Sequence, residues 1–283
     1  MRPERQLNAV SFDRPDHFDW PFFQKWVRAE GWRVPARELT LYRQELADSA
    51  FVLRDHSGVP LGFVTVCRHQ RSAWIGNLIV DPTRRGAGFG RQLFLSAAED
   101  LAGRGAETLW LTASTDGRPL YESCGFREAG RIERWVWQGS DHPAGTVAPL
   151  PCGELHRLAR ADAAAWGDSR VGLLTLLARG GQVLTANDTL ALLQGGEDLR
   201  ILGPWLSADL CPRSNRLVLA AAMDACTGGG ELAVDVVGGS PVRMLLAAAG
   251  FHQTGETVLM VRGGPGPVRL GEIVALASLG SMG

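Results

Sequence analysis

Lysine is almost missing from this chain. Of its 29 basic residues only Lys25 is a lysine, so a Walker-type phosphate loop, which needs a lysine directly after its glycines, is excluded. Paired cysteines are missing too. Cys67, Cys124, Cys152, Cys211 and Cys226 are odd in number, dispersed, and form no Cys-x-x-Cys unit. That excludes a disulfide framework and reads as reduced thiols in a cytoplasmic protein. The six histidines keep no ligand spacing with one another or with the cysteines, so no metal is expected. No apolar run reaches membrane length, and Met1–Arg5 lacks the apolar stretch of a secretory signal, so no membrane partner is expected. Excess charge of one sign is absent as well: the net charge is −1, which argues against a nucleic-acid partner.

Glycine is abundant, and three of the 35 glycines stand where chemistry is to be expected. Trp74-Ile75-Gly76-Asn77-Leu78-Ile79-Val80 is a short β-prone run stopped by Asp81-Pro82. Beyond Arg84-Arg85-Gly86-Ala87-Gly88-Phe89-Gly90, the apolar residues Leu93, Phe94, Ala97, Ala98 and Leu101 recur at helical spacing. A strand, a glycine turn and a helix N-terminus together make an anion site. Unpaired first-turn N–H groups point outward, the helix dipole favours negative charge, and glycine removes the Cβ atoms that would block approach.

The run Arg85-Gly86-Ala87-Gly88-Phe89-Gly90 resembles the Arg/Gln-x-x-Gly-x-Gly/Ala signature of the GNAT superfamily of N-acetyltransferases. Val80-Asp81-Pro82 ahead of it and Leu120-Tyr121-Glu122-Ser123-Cys124-Gly125-Phe126 behind it are also similar to elements of that family. The resemblance implies an α+β fold, a mixed and mostly antiparallel sheet flanked by helices. It implies acetyl-CoA as acyl donor, with the diphosphate held by Arg85, Gly86, Gly88, Phe89, Gly90 and Arg91. It further implies that the backbone of Leu78, Ile79 and Val80 holds the pantetheine arm and polarises the thioester. Tyr121 then becomes the general acid that protonates the leaving thiolate.

A Pro- and Gly-rich stretch at 141–152 reads as a linker between residues 1–140 and 153–283. The two halves share features in the same order. Gly105–Leu111 resembles Gly229–Asp235, Gly125-Phe126 recurs as Gly250-Phe251, and Asn77–Val80 parallels Pro204-Trp205-Leu206 ahead of a second helix, Leu217–Ala225. Near the places of Gly88, Gly90 and Tyr121 the second half carries Ser214, Arg216 and Leu246. The expectation is therefore two tandem GNAT-like domains, a catalytic front and a degenerate rear without the diphosphate loop. In the front half, strands are expected near 6–12, 50–54, 59–68, 73–80, 108–113 and 128–137, and helices near 17–29, 35–47, 89–104 and 118–123.

The acceptor is expected to be a small-molecule amine. The general base stays open among Asp13, Glu30, His69 and Asn77. Trp20, Phe22, Phe23, Trp26, Trp32, Trp74, Trp135 and Trp137 would line the acceptor pocket in the resembled family, and the same stripes fit plain core. Two other functions fit the sequence: a binding or interaction module without turnover, and an acetyltransferase for protein amines. A homodimer is compatible with all three.

Overall fold

The computed structural model describes residues 10–139, 154–196, 198–226, 230–264 and 266–283. The expected linker at 141–152 and the first part of the strand expected near 6–12 lie outside these residues. The chain packs as two compact units, residues 1–66 with 75–104, and residues 67–74 with 105–283.

In the first unit, β1 (Ser11–Asp13), β2 (Ala50–Arg54), β3 (Pro60–Arg68) and β4 (Ser72–Val80) are neighbours in that order. Ser11 pairs with Arg54 and Ala50 with Thr65, both antiparallel. The β2–β3 turn is held by Asp55, whose carboxylate accepts from the N–H groups of Ser57 and Val59 at 2.9 and 3.0 Å. Gly62 is needed where β3 passes β4, because a Cβ there would lie 2.7 Å from the Ile79 carbonyl oxygen.

Helix α1 (Trp20–Ala29) begins three residues later than the sequence suggests. Asp19 sets the start: its carboxylate accepts from the Asp16 N–H at 2.6 Å and pairs with Arg54, and Pro21 occupies the first turn. Its buried face, Trp20, Phe23 and Trp26, surrounds Phe63 with ring centroids 6.3, 5.6 and 5.6 Å away. Helix α2 (Ala36–Gln44) stops short of residue 47 because the N–H groups of Glu45 and Leu46 both turn to the Leu41 carbonyl. Helix α3 (Phe89–Gly103) buries the five apolar residues its spacing singled out.

The second unit holds β5 (Thr108–Ala113), α4 (Arg118–Ser123), β6 (Arg127–Gln138), α5 (Leu155–Trp166), α6 (Val171–Ala178), β7 (Gln182–Ala186), β8 (Thr189–Leu193), β9 (Leu199–Ser207), α7 (Pro212–Asp224), β10 (Glu231–Val237), α8 (Val242–Ala248), β11 (His252–Gly263) and β12 (Ile273–Ala275). Its strand order is β5-β11-β6-β10-β12-β9-β8-β7. Ser72–Trp74 of β4 runs parallel to β5. Trp166 packs edge-on against Trp74 and Trp110, and the guanidinium of Arg170, bonded at 2.9 and 2.6 Å to the buried Asp162, covers its ring.

The repeat read from sequence reappears here as a symmetric exchange of strands. β6 and β11 are both 12 residues long and keep the offset that separates Gly125 from Gly250. They pair antiparallel with Arg127 opposite Val261 and Val136 opposite His252, so each residue faces the counterpart of its own partner. Even the two register shifts fall at counterpart positions, beside Ala129 and Thr254. Outside this central pair, β11 joins β5, the strand of the front half, while β6 joins β10 of the rear half.

Candidate active site

The loop between β4 and α3 is built in two steps. Asp81 first caps a single 3-10 turn, Pro82–Arg84, accepting from the Thr83 N–H at 2.9 Å and its hydroxyl at 2.8 Å. The backbone then enters the left-handed region at Gly86 (φ +79°) and Gly88 (φ +89°), and Gly88 serves as the N-cap of α3. No atom stands within 4 Å of where a Cβ would sit on either glycine, so that side of the loop is open.

Among the described residues, no acceptor takes the N–H groups of Gly86, Ala87, Gly88, Phe89, Gly90 or Arg91. The first turn of α3 contains no acidic residue either. Six unpaired amides at the positive end of a 15-residue helix form a site for an anion. A groove of about 480 Å³ lined by Gly88, Arg91, Gln92, Leu95, Ser96 and Glu99 continues from it along α3. Arg85 is not wholly available to an anion, since its Nη2 donates to Glu30 at 2.6 Å. That pair is half exposed and worth at most about 1 kcal/mol, so a phosphate can replace the carboxylate.

Ile79 is buried, whereas Leu78 and Val80 are half-buried, so the strand alternates core and open positions as it enters the loop. The ladder with β5 covers only Ser72–Trp74. Leu78–Val80 and Arg85–Arg91 thus belong to one continuous strand–loop–helix segment of the first unit. Tyr121 belongs to the second unit. It lies on α4, nearly buried, with Phe126 at 6.3 Å between ring centroids, and burial pushes its hydroxyl well above the ordinary tyrosine range. The group therefore keeps its proton at neutral pH.

The candidate bases separate on geometry. Glu30 is engaged by Arg85, and Asp13 lies 3.9 Å from Arg54. His69 is pushed down to about 3 by burial and by Arg170, which leaves it neutral and too weak a base at neutral pH. Asn77 adopts a left-handed conformation (φ +48°) within β4 and donates from Nδ2 to Glu38 Oε1 at 3.1 Å. Glu38, on the buried face of α2, was not singled out by the sequence, where it reads as an ordinary first-turn acid. Most of the aromatic residues belong to cores: Trp20, Phe23, Trp26 and Trp74 are buried, and Trp135 and Trp137 pack on the rear-half core, Trp137 stacking on Phe251. Phe22 and Trp32 remain exposed.

Among the described residues the rear half shows no counterpart of the loop. Ser214 and Arg216 lie inside α7, which begins at Pro212 directly after Cys211. The parallel pairing of β9 with β10 stops after residues 199–201 and 231–233, and β12 fills the gap that opens beyond it. Val236 pairs with Ala275 on one side and Ile273 with Leu206 on the other. The chain following β12 is stapled in place by Gln194, which donates to the carbonyls of Gly203 and Ala277 at 2.7 and 2.6 Å. Among the described residues no cluster of His, Cys, Asp or Glu is arranged to hold a metal ion, and no helix is long and apolar enough to cross a membrane.

Residues 14–126 match the Acetyltransferase (GNAT) family. No curated protein matches the chain. Among solved structures it is similar to a Pyrococcus horikoshii protein assigned to the acetyltransferases, with TM-score 0.78 and 19% identity over 100% of this chain and 99% of that one. It is also similar to a GCN5-related N-acetyltransferase from Sphaerobacter thermophilus, with TM-score 0.64 and 18% identity over 90% and 95% of the two chains. A tandem GNAT protein from the clavulanic acid biosynthesis pathway matches with TM-score 0.61 and 15% identity over 92% and 99%. Residues 14–126 are thus matched to a GNAT acetyltransferase domain, and the α+β fold and the glycine loop within them agree with that match.

Proposed function

We propose that the chain acetylates the amine of a small molecule, that residues 1–140 carry the reaction, and that residues 153–283 are a companion copy that holds no nucleotide. The unpaired amides of residues 86–91 carry this reading, because a diphosphate needs such donors and among the described residues no group uses them. The backbone of Leu78, Ile79 and Val80 would hold the pantetheine arm beside that site. Direct attack of the amine on the thioester carbonyl then expels the coenzyme A thiolate, with Tyr121 as the hydrogen-bond and proton donor to the sulfur. Burial of Tyr121 supports the donor role, since it keeps the phenol protonated. A small acceptor is in keeping with the tandem relative's place in a biosynthetic pathway.

The test is thiol release from acetyl-CoA against pooled small amines and, separately, against peptides with free amino groups. Release with small amines alone is expected. Release only with peptides would move the acceptor to proteins, and binding of acetyl-CoA without release from any pool would make the chain a binding module.

A further inference from the structure

Two arginines of the rear half stand where local rules argue against them. Arg157 and Arg160 lie one turn apart on α5, both exposed, and among the described residues neither guanidinium has a hydrogen-bond or ion-pair partner. Arg157 is in the first turn of that helix, where the dipole disfavours a cation and no acidic residue compensates. Glu154, at the N-cap, lies 3.3 Å from His156 Nε2 instead. The two guanidinia flank a cavity of about 320 Å³ whose other walls are Ala161 and Leu190. That volume is at the small end for ligand pockets.

A third group points to the same place. Leu190 of β8 is directly opposite Thr185 of β7, so their side chains share one face of the sheet. One step along each strand, Leu184 and Ala191 turn the other way, into the core beneath α7. Thr185 is only 8% exposed, and its buried hydroxyl has no hydrogen-bond partner among the described residues. A buried hydroxyl left open beside the cavity floor is costly to the free protein unless a ligand completes it.

We propose that Arg157, Arg160 and Thr185 form a binding site for the phosphate monoester of a small organic molecule. Two guanidinia supply forked N–H donors and two positive charges. They match a group with three terminal oxygens and nearly two negative charges at neutral pH, whereas a carboxylate offers two oxygens and one charge. Ala161 and Leu190 give the organic body an apolar wall. The site belongs to the second unit and does not depend on the diphosphate loop.

Calorimetric titration of the whole chain at neutral pH with phenyl phosphate and with benzoate tests it. Phenyl phosphate is expected to bind wild type with Kd below about 1 mM, and benzoate at least about threefold more weakly. Arg157→Gln/Arg160→Gln is expected to lose this site or to weaken it at least about tenfold, whereas Gly88→Val, which disturbs the loop of the front half, keeps it. Thr185→Val is expected to bind at least about threefold more weakly and, without ligand, to have a higher Tm, since the open hydroxyl is gone. A threonine with a purely structural role would not produce that pair of opposite effects. The proposal is overturned by binding that is absent from wild type, unchanged in the arginine variant or lost only in Gly88→Val. Benzoate bound as tightly as phenyl phosphate, or a Thr185→Val protein that binds as tightly as wild type, overturns it as well.

Discussion

At the scale of single residues, Gly86 and Gly88 set how the loop presents its amides. Both have positive φ, and space is open where a side chain would go, so a substitution there acts through backbone strain and obstruction rather than through a clash in the empty protein. Gly88→Val is expected to weaken acetyl-CoA binding at least tenfold in a titration while shifting stability by about 1–2 kcal/mol. Tyr121, as proposed, serves the chemistry rather than binding. Tyr121→Phe is expected to lower turnover at least tenfold and to leave the acetyl-CoA Kd within about twofold, and equal turnover would remove the acid role. The glycines were legible in the sequence because the loop is contiguous and its residue types are restrictive. Glu38 was not, because a first-turn glutamate is commonplace and only the fold brings it to Asn77.

At the scale of elements, sequence periodicity located most of the helices and strands of the front half to within a few residues. What it missed was tertiary. The N-terminus of α1 is fixed by the Asp19–Arg54 pair, whose members are far apart in sequence. β12, three residues long, carries no pattern of its own and is a strand only because the gap between β9 and β10 accepts it. The aromatic stripes illustrate the same limit, since helical spacing does not distinguish a core face from a pocket wall.

Asp168 offers an element-scale test, since it fastens the β3–β4 connection onto the segment after α5. Its carboxylate accepts from the N–H groups of Arg71, Ser72 and Ser169 and from the Ser72 hydroxyl. Burial alone would raise this carboxyl, but those hydrogen bonds outweigh burial and hold it below the usual range. A depressed folded value means that the stabilisation is present above the unfolded pKa, about 3.9, and is lost as pH falls through the folded value. Asp168→Ala is expected to cost about 2–4 kcal/mol in urea unfolding at neutral pH, and the difference from wild type should shrink as the pH is lowered below about 4.

At the scale of the whole molecule, the exchange of β6 and β11 makes each half depend on the other for strand pairing. β5 pairs with a strand of the rear half, from Thr108 opposite Gly263 to Ala113 opposite Val258, and β6 is flanked by β10 and β11. Residues 1–150 alone would leave β5 and β6 with long unpaired edges, so that fragment is expected to be insoluble or inactive. A soluble fragment with full activity would contradict this. The sequence revealed the repeat through Gly125-Phe126 and Gly250-Phe251, but not that the copies trade closing strands, since a strand's sequence does not name its partner.

Nucleotide stoichiometry tests the central claim most directly. Calorimetric titration of the whole chain with coenzyme A is expected to give one site per chain, lost or weakened at least tenfold in Gly88→Val, because the proposed diphosphate site is the loop of the front half, while in the rear half helix occupies residues 214 and 216 and β12 lies between β9 and β10. Two sites per chain, or one site indifferent to Gly88→Val, would contradict it.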